Sequence, residues 1–160
     1  MWLLRFNLYR TYLLGISLCL PGTGLSDELL LLEAVEYNNV HIAEALLLDG
    51  ADVNTRQADG ATPLHWATHW DQVNLAKQLL EAGANVNVSN ELGVAPISIA
   101  CRNGNNEMVS LLLTNGADSQ TREPSGETSL MSCSRTGSTS AVLKLLDAGA
   151  NPCLLYTPPS

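Results

Sequence analysis

The chain has little with which to build an aromatic core or to attract a phosphate backbone. Only 5% of its 160 residues are aromatic, with a single phenylalanine, so the interior has to be assembled from Leu, Ala and Val. Basic residues are scarce, 8 Lys and Arg against 16 Asp and Glu. A surface this acidic repels nucleic acid, and no basic stretch offsets it. Charged residues make up 15% and hydrophobic ones 46%, the balance of a folded chain rather than a disordered one. The four cysteines, Cys19, Cys101, Cys133 and Cys153, form neither a CxxC pair nor a zinc spacing. A glycine-rich phosphate loop ending in Gly-Lys is missing. The serines at 132, 134 and 138 belong to no Ser-His-Asp motif.

A long hydrophobic run is also missing. Tyr12–Leu20 is apolar but too short to cross a bilayer as a helix, which takes about 20 residues. Arg5 and Arg10 precede it and the small residues of "PGTG" follow it, the layout of an export signal over residues 1–24 cleaved after Gly24. Its removal leaves 6 basic and 16 acidic residues, a net charge of −10. The expectation is an exported protein, periplasmic or secreted, with no stable membrane insertion after cleavage. It becomes cytoplasmic if the segment is not a signal. Leu18 before Cys19 is too bulky for a lipoprotein signal.

What the chain has is a period. Gly-Ala recurs at residues 50–51, 83–84, 116–117 and 149–150, and each step is 33 residues. Gly60, Gly93 and Gly126 keep the same spacing, as do the leucine pairs starting at Leu46, Leu79, Leu112 and Leu145. Each unit reads as a turn, a short helix, a break and a second helix. Thr62-Pro63 is a helix start, because Thr caps well and Pro needs no hydrogen-bond acceptor at the first helical position. The break falls at Asp71, Gly104 and Gly137. Val73, Ala76, Leu79 and Leu80 then form one apolar stripe, and Gly83 closes the helix. One such pair cannot bury its own apolar face, so neighbouring pairs must stack.

"GATPLHWA" (Gly60–Ala67) carries the T-P-L-H-x-A signature, "GVAPISIA" keeps Pro96 and Ala100, and "GETSLMSC" keeps Thr128 and Leu130. With the 33-residue period, these motifs resemble ankyrin repeats, of an exported bacterial type. The resemblance implies an all-α solenoid of stacked helix-turn-helix units joined by β-turn or hairpin loops. A capping repeat would occupy about residues 25–54, with further repeats at 55–87, 88–120 and 121–152. It also implies a protein-protein interaction module that is not an enzyme, needs no cofactor and binds another protein through its concave groove and turn tips. The alternative is a regulatory or targeting arm of a larger enzyme or toxin.

The two histidines of "TPLHWATHWDQ", His65 and His69, have the i, i+4 spacing of a metal-binding helix. Column comparison separates them. His65 lies in the column Leu32, His65, Ser98, Met131 and resembles the family's buried histidine, which ties the helix start to the neighbouring turn. His69 and Trp70 fall in the variable columns that face the groove. His41 lies in a different column, and no Glu stands between His65 and His69 as the general base of a zinc hydrolase. No metal site is expected. By the family's register the partner-binding positions are Arg56, Asp59, His69, Trp70, Glu91, Leu92, Arg102, Asn103, Arg122 and Arg135. Ala61 and Val94 fall among the groove columns too, and Trp70 is the expected aromatic anchor. Cys101 and Cys133 occupy helix-packing positions. Packed helices lie about 8–10 Å apart, beyond the roughly 7 Å reach of a disulfide, so both are expected as buried free thiols.

After Pro152 the sequence "CLLYTPPS" has no counterpart in the other units, and it resembles translated sequencing-adapter DNA. We expect residues 153–160 to be an unstructured tail or an artefact on a truncated chain, with Leu143, Leu145 and Leu146 uncovered. Reading the genomic locus should show an open frame that continues differently after Pro152. A stop codon directly after a native Ser160 codon overturns this.

Overall fold

A computed structural model describes residues 27–155; the expected leader and residues 156–160 lie outside them. Eight α-helices form four pairs: α1 (Asp27–Glu36) with α2 (Val40–Leu48), α3 (Pro63–His69) with α4 (Val73–Glu81), α5 (Pro96–Asn103) with α6 (Asn106–Thr114), and α7 (Ser129–Arg135) with α8 (Thr139–Asp147). First helices pack on first helices and second helices on second, in chain order. Among the described residues there is no strand, only an isolated antiparallel bridge between Arg122 and Thr128. No described helix is long and apolar enough to cross a membrane.

The 33-residue grammar appears as geometry. Pro63 and Pro96 open α3 and α5. Within each pair the break residue is left-handed: Asn38 (φ 57°), Asp71 (φ 55°), Gly104 (φ 71°) and Gly137 (φ 72°). Asn and Asp tolerate this region better than other non-glycine residues, which is why the column need not be all glycine. Between pairs the chain makes hairpin-like tips in which Gln57, Asn90 and Glu123 donate N–H to the carbonyls of Ala61, Val94 and Glu127. Adjacent tips approach closely. Glu91 N–H donates to the Asp59 carbonyl at 2.8 Å. Pro124, which has no N–H, instead lies against Gly93, where an added Cβ would clash with the proline ring. With its φ of 71°, Gly93 is thus fixed on two counts.

The core is one continuous cluster running through all four pairs. Leu64, Leu75, Leu79, Ile97, Met108, Leu112 and Leu145 are fully buried, and between them Ala67, Ala76, Ala100 and Ala141 permit close helix approach. Each buried Leu or Ile contributes about 1.5–3 kcal/mol. The last pair has an open face. Met131, Ser134 and Val142 are partly or wholly exposed, whereas their counterparts 33, 66 and 99 residues earlier are buried. Leu143 and Leu146 are exposed as expected, but Leu145 is fully buried against the preceding pair. Cys153–Leu155, expected in an unstructured tail, belong to a 3-10 turn (Pro152–Leu155) that touches α7.

Cys101 of α5 and Cys133 of α7 are joined in a disulfide, their Cα atoms 4.4 Å apart. This corrects the expectation of free thiols, and the reason is geometric. The 8–10 Å spacing is between helix axes, and each Cα stands about 2.3 Å off its axis. Facing Cα atoms can therefore come within about 3–5 Å where the side chains between them are small. Ser98, Ala100, Ser129 and Ser132, all buried, supply that smallness.

His65 is buried and holds the start of α3. Thr62 N–H donates to its Nδ1 at 3.1 Å, so the proton sits on Nε2, which donates to the Val94 carbonyl of the next tip at 3.1 Å. At the same place in the last pair, Met131 N–H donates to Thr128 Oγ1 and Thr128 N–H points to the Met131 sulfur. Burial holds the His65 pKa below its ordinary value, outweighing the Val94 hydrogen bond and the pull of Asp59.

Two outcomes follow. Alkylation of the denatured, unreduced protein should leave Cys101 and Cys133 unmodified, and reduction should lower the melting temperature; both thiols reacting without reductant would show the bond is not formed. For His65, the unfolded chain binds the proton more readily, so its stabilising contribution is present above about pH 6.5 and is lost as the pH falls. His65→Gln should therefore destabilise by about 1–3 kcal/mol near pH 7, and its deficit against wild type should shrink near pH 5. A pH-independent difference in thermal melts counts against a neutral, buried imidazole.

Candidate functional site

Among the described residues, the exposed aromatic side chains gather where α1 and α3 end. Trp66, His69 and Trp70 follow one another on α3 and its C-terminus at the i, i+3, i+4 spacing that makes helix neighbours. The His69 ring stands edge-on to both indoles, its centroid 5.8 Å from Trp66 and 4.9 Å from Trp70. Trp66 is half-buried against the core, Trp70 is 43% exposed, and Tyr37, one repeat before Trp70, is 72% exposed.

These rings are held by the preceding repeat. Trp70 Nε1 donates to the Glu36 carbonyl at 3.0 Å, and Trp66 Nε1 donates to Gln57 Oε1 at 3.2 Å. Gln57 Nε2 in turn reaches both carboxylate oxygens of Glu36 at 3.2 Å. Trp66, Gln57 and Glu36 were not among the positions inferred from the sequence. The signal that could have found Trp66 was its helical spacing to His69 and Trp70.

Trp70 has a structural duty as well as a surface. The last carbonyls of a helix lack partners within it, and the column of Trp70 supplies them from the next repeat. Asn103 Nδ2 reaches the carbonyls of Thr68 and His69 and the Asp71 carboxylate, each at 3.1 Å, and Thr136 Oγ1 donates to the Cys101 carbonyl at 3.1 Å. Asn103, although exposed, is thus committed to the ends of the preceding helix.

At the tips, Arg56, Asp59, Glu91, Leu92 and Arg122 are all exposed, Leu92 to 72%. The Asp59 carboxylate accepts the Ala61 N–H at 2.9 Å and its carbonyl binds Glu91, so this pair of tips is internally braced. Ala61 and Val94 are buried, which takes them out of the groove; small side chains at those positions pack under the tips.

The other two arginines face carboxylates of the protein itself. Arg102 lies 3.6 Å from Glu123, and Arg135 lies 2.6 Å from Glu127 Oε1, which also accepts the Ser132 hydroxyl at 2.7 Å. The Ser132 hydrogen bond, with Arg135 beside it, holds the Glu127 carboxyl below its usual range. Of the inferred positions, His69 and Trp70 sit together in an aromatic group, Asp59 and Glu91 brace one another at the tips, and Arg102 and Arg135 are neutralised by Glu123 and Glu127.

As for metal chemistry, His65 uses both ring nitrogens on protein partners, while His69 lies among indoles and is exposed. The i, i+4 pair does not converge on a common point through free nitrogens.

A family model described as Ankyrin repeats (3 copies) matches residues 11–90 and 76–155. A comparison with curated protein sequences found no match. Ankyrin repeats are generally protein-interaction modules and typically non-catalytic, and the four stacked helix pairs have the all-helical solenoid form. By sequence match, period and architecture together, this chain belongs to the ankyrin-repeat family.

Proposed function

We propose that the chain binds one partner protein through the groove side and tips of its stack, with Trp70 as the central anchor, Tyr37, His69 and Trp66 around it, and Leu92 exposed at a tip. The observation that carries this reading is an exposed indole held in place by a hydrogen bond to the preceding repeat. A large, rigid aromatic surface with its polar atom already satisfied is what binding hot spots are made of. The proposal includes export: the Cys101–Cys133 bond fits an oxidising compartment, which supports the reading of residues 1–24 as a signal.

A photo-crosslinking residue at Leu92 should capture a discrete partner from an extract of the native compartment, whereas one at Lys77 on α4 should not. Adding Trp70→Ala should abolish capture while the stack still melts cooperatively, a few degrees lower because one hydrogen bond of about 1 kcal/mol is gone. Equal capture at both positions overturns the groove reading, and collapse of the fold would make Trp70 a core residue instead.

A further inference from the structure

The two halves of the groove side differ in charge. In the half nearer the C-terminus, Arg102 faces Glu123 and Arg135 faces Glu127. In the other half the carboxylates have few cationic counterparts. Over all its faces, residues 27–91 contain eleven Asp and Glu but only Arg56 and Lys77 as bases, and Lys77 lies on α4 beside Glu81. The indoles of Trp66 and Trp70 lie in this half, Trp70 bonded to the Glu36 carbonyl and Trp66 joined through Gln57 to the Glu36 carboxylate.

Resting on the proposal that this side binds a protein, we infer that the aromatic surface of Trp66 and Trp70 recognises an arginine side chain on a basic segment of the partner. The chemistry is specific to that group. A guanidinium is planar and weakly hydrated, so it stacks on an indole and still presents N–H donors at its edge. The Glu36 carboxylate has about four acceptor sites, and Gln57 Nε2 occupies its two oxygens with a single long, shared contact at 3.2 Å. Acceptor capacity therefore remains on Glu36, the residue whose backbone carbonyl holds Trp70 and whose carboxylate is joined through Gln57 to Trp66. The indole N–H groups compete little for that carboxylate, because Trp70 donates to a backbone carbonyl and Trp66 to Gln57. A neutral apolar side chain would also cover the indole, but it would leave the Glu36 carboxylate desolvated, which is costly. An acidic segment is repelled.

The test uses the full chain and dye-labelled oligoarginine, oligolysine and oligoglutamate peptides, followed by fluorescence anisotropy. Oligoarginine should bind saturably and more tightly than oligolysine, with oligoglutamate silent. Trp70→Ala and, separately, Glu36→Gln should weaken oligoarginine by roughly three- to thirty-fold, the range of a cation–π contact. Glu107→Gln, an exposed acid at the start of α6, should leave it unchanged. Retained thermal melts confirm that the variants are folded. If Glu107→Gln weakens binding as much as Glu36→Gln, or if no saturable binding occurs, the inference fails. Partner capture through Leu92 with no oligoarginine binding would remove the arginine inference and leave the interaction module standing.

Discussion

Each repeat ends with polar groups that its own helices cannot satisfy, and side chains of the repeat before or after it satisfy them. Three columns do this at the 33-residue step. Asn54, Asn87 and Gln120 donate to the carbonyls of Gly83, Gly116 and Gly149, while their side-chain oxygens accept N–H from Asn85, Asp118 and Asn151. Trp70, Asn103 and Thr136 cap the preceding first helices. Gln72, Asn105 and Ser138 reach the left-handed break residues Asn38, Asp71 and Gly104. Hydrophobic stacking supplies most of the energy, but it is non-directional. The polar columns fix the register, because a slip would leave unpaired the donors and acceptors of three columns.

That dependence explains why a surface column can carry two roles. Trp70 sits where a donor is required, and an indole meets the requirement with one N–H while leaving its ring faces outward. Asn103 meets it with a carboxamide and has little left for a partner. Thr136 meets it with a hydroxyl shared with the Cys133 carbonyl. The scaffold therefore specifies only a donor within reach, and the rest of the side chain is free to vary. That freedom is where the proposed binding character would enter the stack.

How much of this was legible in the sequence follows from the range of each interaction. The period, the helix starts at Pro63 and Pro96 and the breaks are local or repeat every 33 residues, and column comparison finds them; the role of His65 was legible only through the resemblance of its motif to the family's. The disulfide was misjudged because axis spacing was used where Cα spacing matters, and the small residues that close the gap lie on two helices 32 residues apart. The neutralisation of Arg102 and Arg135 was invisible for a related reason. Their partners Glu123 and Glu127 occupy tip positions whose counterparts, Gln57 and Asn90 for one and Ala61 and Val94 for the other, carry no charge. An interaction that occurs in only one repeat leaves no periodic trace. Leu145 was expected to be exposed because its helix comes last, yet a terminal helix still has one covered side.

The same network bears on the strength of any complex formed at the Trp70 surface. Ordering a mobile side chain at an interface costs about 0.5–1.5 kcal/mol. Here Trp70 is fixed by Glu36, Trp66 by Gln57, and His69 stands between them, so that cost has been met on folding. The bracing comes from the neighbouring repeat, which makes the anchor a property of the α1–α3 junction rather than of either repeat alone. A substitution at Gln57 or at the α1 terminus can loosen the aromatic surface without touching any ring. Conversely, a partner that covers Trp70 also shields the Glu36 contact from water and tightens the junction beneath it. On the proposed reading, binding and register are coupled through one indole N–H.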